Sequence, residues 1–189
     1  GAAFVGGLAK PEGGVRPIAA GEVRRRWIGR AMLTQDRDEI AAFFLARHQV
    51  GVGVLAGAEL AYRVVDLAIS AFDDDTAAAL FDCANAFNSV LRSKIFAEVR
   101  RHFPRYLRHL SLSYLEPKNL YLKARQGETI LAERGVEQGD PWGPFLFALV
   151  FASATEIVAP ILRDRTNGQG LLVSLLDDLS IVAPVPILI

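Results

Sequence analysis

Cysteine is nearly missing from this chain: Cys83 is the single thiol in 189 residues. That excludes a disulfide framework and any zinc site built on several cysteines. A surplus of one charge is also missing, because 21 Lys and Arg balance 21 Asp and Glu, so there is no global basic footprint for nucleic acid. Long hydrophobic runs are lacking too. The longest spans residues 144–152 and Glu156 follows soon after, which is too short to cross a bilayer and points to no membrane partner. The opening GAAFVGGLAKPEGG has neither a basic leader nor a long apolar stretch, so it does not read as a signal peptide. It has no initiator Met and starts as if inside a structural element, so the expectation is a fragment.

What is present suits a folded domain. Hydrophobic residues make up 51% and charged residues 22%, enough for a real core and against disorder. The length suggests one domain, or one domain with part of a second. There is no internal repeat and no low-complexity linker. Charge is unevenly spread. Between Arg92 and Arg125 nine basic residues face Glu98 and Glu116, and between Lys10 and Arg30 six face Glu12 and Glu22. Carboxylates gather elsewhere, at residues 73–75, Asp82, Asp140, Asp177 and Asp178. Basic surfaces around an acidic centre suit a protein that holds phosphates and a divalent metal; ordinary solvated helix faces are the other reading.

Residues 10–18, KPEGGVRPI, read as a hairpin around the Gly-Gly pair. Residues 22–33 predict a basic helix with Val23, Trp27, Ile28, Ala31 and Met32 on one side, and 38–47 a second helix with Phe44 and Leu45 inside. The run QVGVGVLAG, 49–57, is too rich in glycine for a helix and reads as a loop. Helical spacing returns over 59–72. Residues 76–82 predict a buried strand ending in Asp82. Ser89 is the expected N-cap of a helix to Arg101, Pro104 the opening of another to Tyr114. Residues 119–124 and 129–132 are expected strands, 145–162 a core helix, and 171–176 with 179–183 a hairpin around Asp177-Asp178. Helices mixed with hairpins predict an α+β fold, with an antiparallel sheet packed on helices.

The Asp177-Asp178 pair is the sharpest local feature. Turn chemistry explains two aspartates at a hairpin tip. Apolar strands on both sides nevertheless place them at the end of a buried sheet, where they repel unless a cation joins them. Asp82 also ends an apolar strand. If the strand lies beside the hairpin, two or three carboxylates without His or Cys form a site for a hard cation of the magnesium or manganese type.

The segments FDCANAFNSV, VEQGDPWGPFLFAL and LLDDLSIV occur in the order and rough spacing of the palm motifs of reverse transcriptases, and the upstream KPEGGVRPI resembles their fingers hairpin. The likeness runs from about Lys10 to Val182 and is nearer to the retroelement type, non-long-terminal-repeat or group-II-intron-like, than to the retroviral type. It implies partial fingers with the start of the palm over residues 1–75 and the palm over 76–189. It also implies an RNA-directed DNA polymerase that uses two magnesium ions, with manganese as a substitute, an RNA template, a DNA primer and deoxynucleotides. Asp82, Asp177 and Asp178 match the catalytic, metal-binding aspartates. Lys10 and Arg16 match the fingers cations that grip a triphosphate. Asn85 and Ala86 match the sugar and triphosphate pocket, and Phe87 matches the aromatic that excludes a ribose 2′-hydroxyl. Gln138 and Gly139 match the step where backbone approaches the template–nucleotide pair. Arg24, Arg25, Arg92 and Arg101 lie on basic helices that can contact nucleic-acid backbone.

Two departures stand out. Leu175 replaces the aromatic that usually precedes the aspartate pair, and the likeness implies that the thumb and endonuclease regions lie elsewhere in a parent protein. Two alternatives follow: a degenerate palm that binds nucleic acid or a partner without catalysis, and an RNA-templated RNA polymerase, which Phe87 disfavours. A retroelement product is expected in the nucleus or cytoplasm, and the lone Cys83 is compatible with a reducing compartment.

Overall fold

The computed structural model describes residues 3–9, 11, 13, 15–72, 75–122 and 128–189. The chain forms two compact units that alternate along the sequence: residues 1–35 with 85–147, and residues 36–84 with 148–189. Both combine helices with sheet, so the fold class is α+β.

In the first unit, β1 (Ala3–Ala9) and β2 (Val15–Ala20) form an antiparallel hairpin with Leu8 opposite Arg16. Lys10, expected in this hairpin, lies outside the described residues. Helix α1 follows (Val23–Gln35). The apolar side expected on it is not buried: Val23, Trp27 and Ile28 are exposed, and Gly29 is its buried residue. The side chain of Trp142 explains this, since a Cβ on Gly29 would come within 2.4 Å of the indole nitrogen. The missing side chain is what lets the helix lie close to that indole.

The second unit opens with α2 (Arg37–Leu45) and α3 (Gly57–Ala71), joined by the glycine-rich loop, and continues with β3 (Thr76–Asp82). In α2 Phe44 is buried as expected, whereas Leu45 is about half exposed. The chain then returns to the first unit with a single turn, α4 (Ala86–Ser89), and α5 (Arg92–His102). Ser89 ends the first of these helices and does not cap the second, whose N-cap position is Leu91. Pro104 opens a 3-10 turn, Pro104–Tyr106, that leads into α6 (Leu107–Tyr114), consistent with proline's tolerance of a first helical turn. Strands β4 (Lys118–Leu122) and β5 (Thr129–Ala132) pair antiparallel, and β4 also pairs parallel with β1, giving the sheet order β2-β1-β4-β5. The parallel pair joins strands more than a hundred residues apart and has no local signature.

Helix α7 (Trp142–Arg165) starts three residues before its expected beginning and ends three after its expected end. Its 24 residues are long and apolar enough by composition to cross a membrane. Trp142, Phe145, Leu146, Ala148, Leu149 and Ala152 are buried inside the protein, which makes its first half core, whereas Ile157 and Ile161 in the second half are exposed. Around its first turns the rings of Phe103, Tyr106, Trp142 and Phe145 pack edge to face or stacked, with centroids 4.9–5.7 Å apart. Aromatic pairs at such spacing stabilise beyond their buried area. The hairpin β6 (Leu171–Leu175) and β7 (Asp178–Pro184) completes the second unit, followed by a last turn, α8 (Val185–Leu188). Its antiparallel sheet has the order β3-β7-β6, and Leu162, Leu172 and Ala183 lie in its core.

Candidate functional site

The register of β3 on β7 decides where the aspartates meet. Thr76 faces Pro184, Leu80 faces Ser180, and Asp82 faces Asp178 across the ladder. Directly opposed residues in an antiparallel pair have Cα atoms roughly 4.5–5.5 Å apart and share one face of the sheet. Asp177 forms the two-residue turn between β6 and β7 together with Leu176, and Asp178 begins β7 facing Leu175. All three carboxylates thus gather at one end of the three-stranded sheet. Asp82 and Asp178 are exposed and Asp177 is half-buried. The residue directly across from Asp82 is Asp178 rather than Asp177.

Like charges face to face destabilise a sheet unless something neutralises them. Partial burial and then the neighbouring Asp177 and Asp82 raise the Asp178 carboxyl above its ordinary value. The Cys83 thiol, next along β3's exit, is likewise raised, by burial first and then by Asp177, Asp82 and Asp178. Among the described residues no Lys, Arg or His forms an ion pair with any of the three aspartates. An all-oxygen set without a resident cation is the donor chemistry that suits magnesium or manganese. As placed, no three His, Cys, Asp or Glu side chains among the described residues close around a single ion.

The turn that carries Asp177 is held from outside the hairpin. Leu176 has φ +57°, a left-handed conformation that costs a side chain with a Cβ roughly 1–2 kcal/mol. Its N–H donates to Gln49 Oε1 at 2.8 Å, and its carbonyl accepts from Gln49 Nε2 at 3.0 Å. Gln49 is fully buried. It lies in the segment 48–51, which adds a short parallel bridge to the edge of β6: Val50 N–H donates to Ser174 O, and Ser174 N–H to His48 O. Nothing in the loop's glycine-rich spelling marks Gln49, because its partner is 127 residues away.

In the first unit the remaining expected residues follow Asp82 along the chain or approach α7. Asn85 has φ +55° at the start of α4, and its Oδ1 accepts from Asn88 Nδ2 at 2.7 Å. Ala86 is buried. The Phe87 ring is half-buried and stacks on Phe147, centroids 5.0 Å apart, while its carbonyl accepts from Val136 N–H. Gln138 O accepts from Ala19 N–H of β2 at 2.9 Å. Gly139 has φ +121°, and a Cβ there would sit 2.8 Å from Ala19 O. The close approach glycine permits at this step is therefore to β2 backbone.

The basic candidates divide. Arg24 and Arg101 are exposed. Arg25 is half-buried, with a guanidinium nitrogen 3.9 Å from Asp140 Oδ2. Arg92 is buried and donates to the carbonyls of Gly135 and Glu116. Its guanidinium is committed to holding those loops and is not available as a surface contact for a phosphate backbone. Arg16 lies on β2 opposite Leu8, and its side chain is outside the described residues.

A buried polar network that sequence reading missed lies beside these groups. Lys118 pairs with Glu137, both side chains 4% exposed. Burial lowers the Lys118 ammonium from its ordinary value, and Glu137 opposes that shift. Tyr114 donates its hydroxyl to Asp140 Oδ2 at 2.8 Å, and Asp140 Oδ1 accepts from Trp142 N–H at the start of α7. Acidic side chains at a helix N-terminus are favourable, which explains why this aspartate is tolerated at 5% exposure.

Scans against protein-family models and against curated proteins give no match. Solved structures do match. An apo telomerase from Candida tropicalis lacking its C-terminal domain aligns over 97% of this chain with a TM-score of 0.65 and 14% identity. The apo telomerase of the same organism aligns over 96% with 0.65 and 12%. A telomerase from Candida albicans in complex with a fragment of telomeric RNA aligns over 97% with 0.58 and 13%. The fold therefore resembles that of these telomerase structures, distantly and at low identity. The chain spans 44%, 38% and 38% of those chains, respectively.

Proposed function

We propose that this chain is the palm, with partial fingers, of an RNA-directed DNA polymerase that transfers a nucleotide from a deoxynucleoside triphosphate to a primer 3′-hydroxyl. The observation that carries the reading is the Asp82–Asp178 register, which brings a mid-chain carboxylate to the turn of a late hairpin. In this reading residues 76–189 belong to the palm and 1–75 to fingers and palm entry, of a retroelement type. Asp82 and Asp177 hold the metal pair, with Asp178 as support, and Phe87 restricts the sugar. Magnesium or manganese bound there would neutralise charge on the phosphoryl oxygens. The protein's own part is positioning and electrostatic preorganisation, without a covalent intermediate. Arg24, Arg25 and Arg101 supply sequence-independent contacts to template or primer. In this role the protein acts in the nucleus or the cytoplasm.

Primer extension on an RNA template tests this, with the protein and its Asp177→Asn variant compared in Mg2+ and in Mn2+. The variant should lose at least about 100-fold in rate if the carboxylate stabilises transition-state charge. Extension undiminished by Asp177→Asn removes the catalytic assignment. Nucleic-acid binding without extension and without metal binding in either protein selects the degenerate palm, and preferential use of ribonucleotides selects the RNA-templated RNA polymerase.

A further inference from the structure

We propose that Gln49 is a positioning residue for the aspartate turn; this rests on the reading of Asp82, Asp177 and Asp178 as metal ligands. A primary amide offers an acceptor and a donor in one rigid plane. Here Oε1 accepts from Leu176 N–H and from Gly51 N–H, both at 2.8 Å, while Nε2 donates to Leu176 O at 3.0 Å. The amide thus grips both polar groups of the one residue in the turn that is left-handed. A β-hairpin normally satisfies its turn within itself; this one is completed by a side chain from a distant loop. Leu176 is adjacent to Asp177 and two residues from Asp178, so its backbone orientation sets where both carboxylates project. A strained backbone persists only where its surroundings over-determine it, and Gln49 is a buried group that does so.

The glycine-rich loop acquires a reason in the same contact. A Cβ on Gly51 would lie 2.7 Å from Leu176 N and 2.9 Å from Gln49 Oε1. A Cβ on Gly57 would lie 1.9 Å from Val50 O. Both positions need glycine so that segment 48–51 can reach the turn. The edge contact through Ser174, whose Oγ donates to His48 O at 3.1 Å, docks the same segment without touching the amide. It therefore separates general docking from specific positioning.

The experiment uses Mn2+ itself as the probe. Its affinity is read by the paramagnetic resonance of free Mn2+, and amide exchange at Leu176 and Gly51 by nuclear magnetic resonance, in the wild type and in Gln49→Met, Gly51→Ala and Ser174→Ala. Partners that orient metal ligands typically change affinity 10–100-fold. Gln49→Met and Gly51→Ala should each lose protection at Leu176 and weaken Mn2+ about 10-fold, whereas Ser174→Ala should leave Mn2+ affinity unchanged. Gly51→Ala perturbs the clamp from the opposite side, so the test survives if Gln49→Met does not fold. Wild-type Mn2+ affinity in Gln49→Met or Gly51→Ala overturns the proposal, and so does an equal loss in Ser174→Ala. Failure of the metal reading itself shows separately, as Mn2+ binding that Asp177→Asn does not change, a comparison in which no loop variant takes part.

Discussion

Gly139 shows how much a single residue carries in this fold. Its φ of +121° belongs to a region that side chains with a Cβ essentially do not enter, and Ala19 O occupies the space a Cβ would need. Gly139→Ala should destabilise the protein by about 2 kcal/mol or more, from strain together with the lost Ala19–Gln138 bond. Urea denaturation with unchanged slope checks it. Tyr114 is a second case. Burial, then the charges of Asp140 and Glu137, push its phenol well above the ordinary value near 10. A folded-state value above the unfolded one means the neutral phenol's contribution is fully present below about pH 10 and is lost as pH climbs toward the folded value. The stability difference between wild type and Tyr114→Phe should therefore stay constant up to about pH 10 and shrink above it. Taking the difference removes the opposing slope of Lys118, whose lowered value makes stability rise with pH below the ordinary lysine range.

At the scale of elements, the Lys118–Glu137 pair joins β4 to the segment leading into α7. Taking two charges out of water is costly, and removing one partner leaves the other buried and unpaired. Glu137→Gln should cost about 3–5 kcal/mol, while the double replacement Lys118→Met with Glu137→Leu should recover most of that loss, as measured by chemical denaturation. Elements with local signals stand close to where the sequence places them, although β3, expected to be buried, exposes Leu80 and Phe81. The hairpin β6–β7 falls on the apolar runs flanking Asp177-Asp178, with its two-residue turn at Leu176-Asp177 and Asp178 already in β7, and α5 buries Ile95 and Val99 while Phe96 is half-buried. The apolar side that spacing assigns to α1 is exposed, because Trp142 packs against Gly29 instead of Val23 and Trp27. Ser89 does not cap α5 because the chain makes a separate turn at 86–89 before α5 begins.

For the whole molecule, zero net charge makes any nucleic-acid affinity depend on local basic surface. Arg24 and Arg101 are exposed, so in the proposed role each contributes to counterion release. Arg24→Ala and Arg101→Ala should each lower the slope of log affinity against log salt by about 1 for an RNA–DNA hybrid, followed by fluorescence anisotropy across salt concentration. Arg92→Ala should instead lower stability, since its guanidinium bonds two loop carbonyls within the first unit.

The order of the motifs, the α+β class and the two acidic strand ends were all determined by sequence, because apolar periodicity and turn residues act over a few positions. The ladder that sets Asp82 opposite Asp178, the parallel joining of β1 to β4 and the amide of Gln49 on Leu176 were decided by tertiary structure. Each joins groups far apart in the chain: the two ladders use backbone atoms that every residue shares, and the Gln49 amide meets the backbone of Leu176, so in each case the partner leaves no mark on the local sequence. The commitment of Arg92 to two buried carbonyls belongs with them. An arginine reads as surface charge until packing supplies the acceptors that make its burial affordable.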